Sequence, residues 1–303
     1  MRVRMLIGFA AVVAGLAACR ESPAVSNGAV GTRQLLWQEL QPVQLERCDL
    51  QRFGEPHDGG YLLCANLLDG IAAGYSYGIS GYDGWGCDVA VKRNVPVHQY
   101  DCFDTRVPAC PGRTIFHNEC IGVSAETIEG RRYDALDQQL AANGDAGARV
   151  VVKMDVEGAE WNAFLSAPAE TLERIDQLAV EFHGTNEQRF LLAVQRLKQF
   201  FHVANLHMNN HSCTDGDTPF GAWAYEVLFV NKRLTAGGAP RTQPYHALDR
   251  PNAAELPDCQ TTQPGGRPSN RFSPDSSAKR PRRARWPSTS GSCAGSTTAA
   301  ITR

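Results

Sequence analysis

The sequence contains ten cysteines but no C-x-x-C pair. That spacing sets two thiolates on one ion, so its absence argues against a zinc framework and leaves the cysteines for disulfides. Neither a G-x-x-x-x-G-K-[ST] loop nor a G-x-G-x-x-G fingerprint occurs, which removes the usual cradles for nucleoside triphosphates and dinucleotides. No internal repeat is visible. An excess of one charge is also missing: 30 basic residues face 32 acidic ones. What remains, 43% hydrophobic and 20% charged residues, is the composition of a globular protein with a core to bury.

Both ends differ from the middle. Met1 to Cys19 is a short basic start followed by an apolar run, well below the roughly 20 residues that span a bilayer, and reads as an export signal. Its end, Leu16-Ala17-Ala18-Cys19, resembles a bacterial lipobox, which implies cleavage before Cys19 and lipid on its sulfur. The expectation is an exported lipoprotein on the periplasmic side of the inner or outer membrane, with a signal over 1–18 and a tether over 19–44. Residues 236–303 read as a largely disordered tail rich in Pro, Ser and Arg, with a basic run from Lys279 to Arg285, too poor in aliphatic residues to order itself. Nucleic acid is not an expected partner. With Cys19 set aside for lipid and Cys293 near the end of the tail, eight cysteines remain: Cys48, Cys64, Cys87, Cys102, Cys110, Cys120, Cys213 and Cys259. Disulfides are expected among them, with connectivity open.

Residues 45–235 alternate strand-like and helix-like stretches. Strands are expected over 74–79, 97–101, 113–116 (with a continuation near Ile121), 149–155, 177–182, 201–206 and 225–231. Helices are expected over 83–94, 133–142, 159–165, 169–175 and 187–200; in the last, Phe190, Leu191, Val194 and Leu197 share one face. This order predicts an α/β, doubly wound, seven-stranded and mostly parallel sheet with helices on both faces. Only 209–221 separates the final two strands, so they can pair antiparallel. Ligands of such sheets sit beyond the carboxyl ends of the strands, which directs attention to 78–86, 101–104, 155–160 and 181–183.

The first strand enters Tyr77-Gly78-Ile79-Ser80-Gly81-Tyr82-Asp83-Gly84-Trp85-Gly86, where glycines let backbone approach a ligand and a helix follows. Asp101 lies about twenty residues beyond, the distance at which an acid can take ribose hydroxyls, with Asp104 as its alternative. Most informative is Lys153-Met154-Asp155-Val156-Glu157-Gly158-Ala159-Glu160-Trp161, which gathers three carboxylates at a strand tip and helix start. Glu160 there is read chiefly as a carboxylate favoured by the helix dipole. Glu181-Phe182-His183 closes the next strand in the same region. The pair Asp155 and Glu181 has the oxygen ligands for magnesium or manganese, although the expected function requires no metal. His207 and His211 read as loop residues.

The segment Lys153 to Trp161 resembles the K-x-D-x-E-G-x-E segment of FkbM-type S-adenosylmethionine-dependent methyltransferases. Asp58–Tyr61, Tyr75–Ile79, Gln99–Asp101 and Glu226–Asn231 are similar to their counterparts in the branch of methyltransferase-like proteins, in the same order, so the resemblance covers about 48–232. It implies a Rossmann-like class I methyltransferase fold with the last strand antiparallel. It also implies that Tyr77, Gly78, Ile79, Ser80, Gly81 and Asp83 line the cofactor S-adenosylmethionine. Asp101 would take its ribose, Asp155 would stand at the reaction centre, and Asp155, Glu157 and His183 are the catalytic candidates. The implied activity is O-methylation of a hydroxyl on a sugar or glycan-like acceptor; the alternative is a non-catalytic lipoprotein using the same cleft for a ligand or partner. One departure stands out: the loop reads Gly-Ile-Ser-Gly where the family usually has acidic-Gly-x-Gly-x-Gly.

Overall fold

The computed structural model describes residues 31–241 and 248–261. The expected signal, Cys19, the start of the tether and the basic run lie outside these residues. Seven strands form the central sheet: β1 Ala73–Tyr77, β2 Val97–Tyr100, β3 Thr114–His117, β4 Val150–Met154, β5 Ile175–His183, β6 Phe201–Met208 and β7 Ala224–Asn231. Their spatial order is β6-β7-β5-β4-β1-β2-β3. Strands β3, β2, β1, β4 and β5 run parallel, whereas β7 is antiparallel to both β5 and β6. The sheet is therefore the expected Rossmann-like α/β arrangement, and chain order reverses between β1 and β4. Crossovers diverge at such a point and open a crevice above the strand ends.

Near-continuous apolar runs reflect a sheet covered on both sides. Val150, Val152 and Met154 of β4 enter one core with Tyr75, Tyr77, Leu178, Val180 and Phe182. Val151 enters the other with Ala179, Leu228 and Val230, the alternation that a period of two demands. The first core is covered by helices α1 Thr32–Glu39, α3 Leu136–Ala142, α4 Glu160–Ser166, α5 Ala169–Arg174 and α6 Gln188–Phe200. The second is covered by α2 Gly84–Arg93 together with a β-hairpin, Leu50–Gly54 paired with Gly60–Cys64. The sequence reading places no strand there; Gly60–Cys64 is buried throughout, and Phe53, Tyr61, Leu63 and Cys64 join this core.

Three boundaries need correction. The expected tether is folded from Thr32 onward: α1 buries Leu36 and Trp37, Leu40 just after it is buried too, and Trp37 meets Phe220 edge-on at 5.1 Å. Val43–Leu45 then pairs with Gly237–Pro240. The expected tail is likewise attached as far as Cys259, which is disulfide-bonded to Cys213; Asn210 accepts from the amide of Ala253 and donates to its carbonyl. Specific polar contacts and a covalent bond hold that segment, and composition does not reveal them. The expected helix over 133–142 begins only at Leu136, since Arg131–Asp134 is a strand paired with Glu126–Ile128 around the left-handed pair Glu129 and Gly130.

All eight cysteines pair, as Cys48–Cys64, Cys87–Cys110, Cys102–Cys120 and Cys213–Cys259. Each bridge closes a loop of 16 to 46 residues and by its length contributes on the order of 3–4 kcal/mol through the unfolded chain. Among the described residues no helix is long and apolar enough to cross a membrane.

Candidate functional site

The reversal point brings three sequence-distant places together. Gly78 N donates to Tyr100 O at 3.0 Å, and Asp155 N donates to Tyr77 O at 3.2 Å, so the ends of β2, β1 and β4 are joined side by side. Gly78 has φ +72°, and a Cβ there would lie 1.6 Å from the carbonyl oxygen of Asp155. Only glycine permits this approach.

Beyond β4 the chain turns through Glu157 and Gly158, both at positive φ, into α4. Glu160 closes that turn. Its Oε1 accepts from Val156 N at 2.7 Å and its Oε2 from Gly158 N at 2.9 Å, while His183 Nδ1 lies 3.1 Å from Oε1. The helix-start role expected for Glu160 is thus joined by a second: it orients the histidine. His183 Nε2 faces Glu157 Oε2 at 3.6 Å, Glu181 Oε1 at 3.7 Å and Asp155 Oδ1 at 3.9 Å. On the far side of Asp155, Oδ2 accepts from Tyr61 Oη at 3.1 Å, with Lys153 Nζ 3.6 Å away. Lys153 also donates to the carbonyl of Gly78 at 2.8 Å and ties the glycine bend to the acidic tip.

Electrostatics are tense here. Burial pushes the Glu181 carboxyl well above its ordinary range, and the charges of Asp155 and Glu226 add to the push. Glu226 sits opposite Glu181 in the β5/β7 register and is raised to about 6, chiefly by burial. Burial opposes protonation of His183, but the Glu160 hydrogen bond and the charges of Glu160, Glu181 and Asp155 outweigh it and lift the imidazole to about 9. At neutral pH it is therefore a cation and a poor general base. Burial raises Glu157 as well, yet Glu157 is the exposed carboxylate of the group.

The sequence reading did not single out Tyr61, Lys153, Asn209 and Asn252 as site residues. Asn209 donates to Glu181 at 2.8 Å, and Asn252 bridges Glu226 at 2.8 Å and Asp58 at 3.1 Å. Nothing local in the sequence marks the asparagines, which arrive from a 3-10 turn and the attached C-terminal segment. His207 is not a loop residue: it lies buried in β6 opposite Glu226.

On the glycine side several expectations change. The side chain of Tyr77 is fully buried and stacks on Tyr100 at 4.8 Å, so its ring offers no face to a sulfonium. Asp83 is the N-cap of α2, accepting from Gly86 N at 2.7 Å and Gln99 Nε2 at 2.8 Å, and is turned into the protein. Ile79 is buried, while Ser80 is exposed in a left-handed conformation. Asp101 is not free: Oδ2 accepts from Ile79 N at 3.1 Å and Ser80 N at 2.8 Å, and Oδ1 from Phe103 N at 2.8 Å and Asp104 N at 2.9 Å. A ribose reaching Asp101 has to replace two of these donors. Asp104 is held by Arg106, whose guanidinium also packs against Gly81. The string Gly74-Tyr75-Ser76-Tyr77-Gly78 matches G-x-S-x-G, but Ser76 is fully buried inside β1 rather than exposed on a strand-to-helix turn.

The bend therefore fits S-adenosylmethionine in part. Carboxylates adjoin a close-approach glycine, as a sulfonium requires, while the ribose acid is engaged by its own loop. No family model matches the chain, and a search of curated proteins finds no match.

Proposed function

We propose that this chain is an S-adenosylmethionine-dependent methyltransferase that methylates a hydroxyl of a sugar or glycan-like acceptor. The observation that carries the reading is the close backbone approach of the glycine bend at Gly78 and the strand end at Asp155 where strand order reverses. The cofactor supplies an electrophilic methyl group on a sulfonium. The chain's part is alignment, charge and proton removal. Asp155, held by Tyr61, adjoins the bend through its backbone. Glu157 is exposed beside the turn, which places it to accept the acceptor's proton; His183, cationic in the absence of a bound metal ion, steadies the carboxylates around it. Trp223, 46% exposed with its ring 5.8 Å from that of His183, offers a flat apolar face to a sugar ring.

The second reading, a non-catalytic binding protein, is favoured by the four amides that fill Asp101. Calorimetry of the purified protein with S-adenosylmethionine separates the two. Micromolar binding that Asp101→Ala weakens supports the enzyme; no heat at millimolar cofactor supports the alternative. Lipid anchoring through Cys19 is part of the proposal, and four disulfides support an oxidising compartment. A Cys19→Ser chain that stays on membranes would contradict it.

A further inference from the structure

The tips of two neighbouring strands bring two carboxylates and one histidine together. Asp155 ends β4, and Glu181 and His183 end β5; one donor atom from each lies within 4.8 Å of the others. A hard divalent ion bound at about 2.0–2.6 Å from each donor spaces opposite donors by about 4–5 Å, so this triangle closes on an ion with small side-chain movement.

The histidine supplies a separate indication. Its side chain is only 9% exposed, and its Nδ1 is committed to Glu160 at 3.1 Å. Its Nε2 makes no hydrogen bond, although carboxylate oxygens stand 3.6, 3.7 and 3.9 Å away. Nε2 is thus the ring nitrogen left for a ligand. Three oxygens arranged around it just beyond hydrogen-bond distance leave room for something between them. The carboxylate on Nδ1 is the arrangement that fixes ring orientation in metal-ligating histidines. Glu181 has equivalent support, since Asn209 donates to its Oε1. Asp155 is divided suitably as well: Tyr61 and Lys153 attend Oδ2, whereas Oδ1 is the oxygen turned toward His183.

We infer that Asp155, Glu181 and His183 form a binding site for one divalent cation of the magnesium or manganese class, the ion displacing the Nε2 proton of His183 to solvent, with Glu160 and Asn209 holding the ligands in place. Two carboxylates and one imidazole, with no thiolate among them, suit this oxygen-preferring class. Water or an acceptor hydroxyl fills the remaining positions, since such ions keep several exchangeable ligands. That last role rests on the methyltransferase reading; the cation site does not.

The test uses the full-length, chelator-stripped protein titrated with manganese chloride, with free Mn²⁺ followed by electron paramagnetic resonance and no cofactor present. The site predicts one Mn²⁺ per chain, bound at least about tenfold more weakly by Glu181→Gln and by Asp155→Asn. Asp155 is partly exposed, so its variant keeps the reading open if the buried Glu181→Gln fails to fold. No binding at millimolar manganese overturns the inference, as does equal affinity in wild type and Asp155→Asn, or one tight Zn²⁺ that Mn²⁺ cannot displace. Binding of manganese with no binding of S-adenosylmethionine leaves the cation site standing and removes the methyl-transfer reading alone.

Discussion

Asp101 follows β2 and Asp155 follows β4, two aspartates at corresponding strand ends on either side of β1, and the structure puts them to opposite uses. Asp101 accepts from four backbone amides and welds the glycine bend to the loop after β2. Asp155 has one hydrogen-bonded hydroxyl, a lysine at 3.6 Å, and a second oxygen turned toward other carboxylates. Position above a parallel sheet makes a carboxylate available to a ligand; the density of amides around it decides whether it is spent on the fold first. One half of the cleft is saturated scaffold, and the other stores unsatisfied charge.

That contrast can be broken by substitution. The largest effect is expected at the joint itself. Gly78→Ala forces a Cβ onto the Asp155 carbonyl and an alanine into φ +72°, and should cost about 4 kcal/mol or more; soluble yield and urea denaturation will show it. Next, Asp101→Ala strands four amides and should lower stability by roughly 3 kcal/mol, whereas Asp155→Ala should change it by less than about 1 kcal/mol. Equal losses in the two urea midpoints would erase the distinction.

The comparison extends to histidines. His98 contacts His117, Nδ1 to Nε2 at 3.0 Å, and burial first, then the charges of His117 and Arg113, against the pull of Asp145, push it down to about 4. Its folded value lies below the unfolded value of about 6.5. Its contribution is therefore present above pH 6.5 and is lost as pH falls from there through 4, by roughly 3 kcal/mol. Thermal midpoints of His98→Gln should fall less steeply than wild type across that window. The smallest effect has the opposite sign: Glu181→Gln removes a buried carboxylate raised by burial, Asp155 and Glu226, and should stabilise the metal-free protein at pH 7 by about 1 kcal/mol. Destabilisation there would mean that the acidic half is as well satisfied as the other.

The legibility of the sequence follows the same division. Strands such as Val150–Met154 announce themselves because burial on both faces demands an unbroken apolar run. The acidic tip was visible because Asp155, Glu157 and Glu160 stand within six residues. What stayed hidden depends on partners far along the chain. The reach of Glu160 to His183, the filling of Asp101, and the bridge from Asn252 to Glu226 are decided by tertiary packing. The loss of Tyr77 to the core was readable in principle, since strand alternation sends Tyr75 and Tyr77 to the same face.

The central claim is that a ligand enters where the saturated half meets the charged half. Hydrogen–deuterium exchange at the amides of Ile79, Ser80 and residues 155–158, measured with and without S-adenosylmethionine, tests it most directly. The account predicts that the cofactor changes protection at Ile79 and Ser80, whose hold on Asp101 it must exchange, and increases protection at 155–158. Protection that is unchanged at both places under saturating cofactor would contradict it.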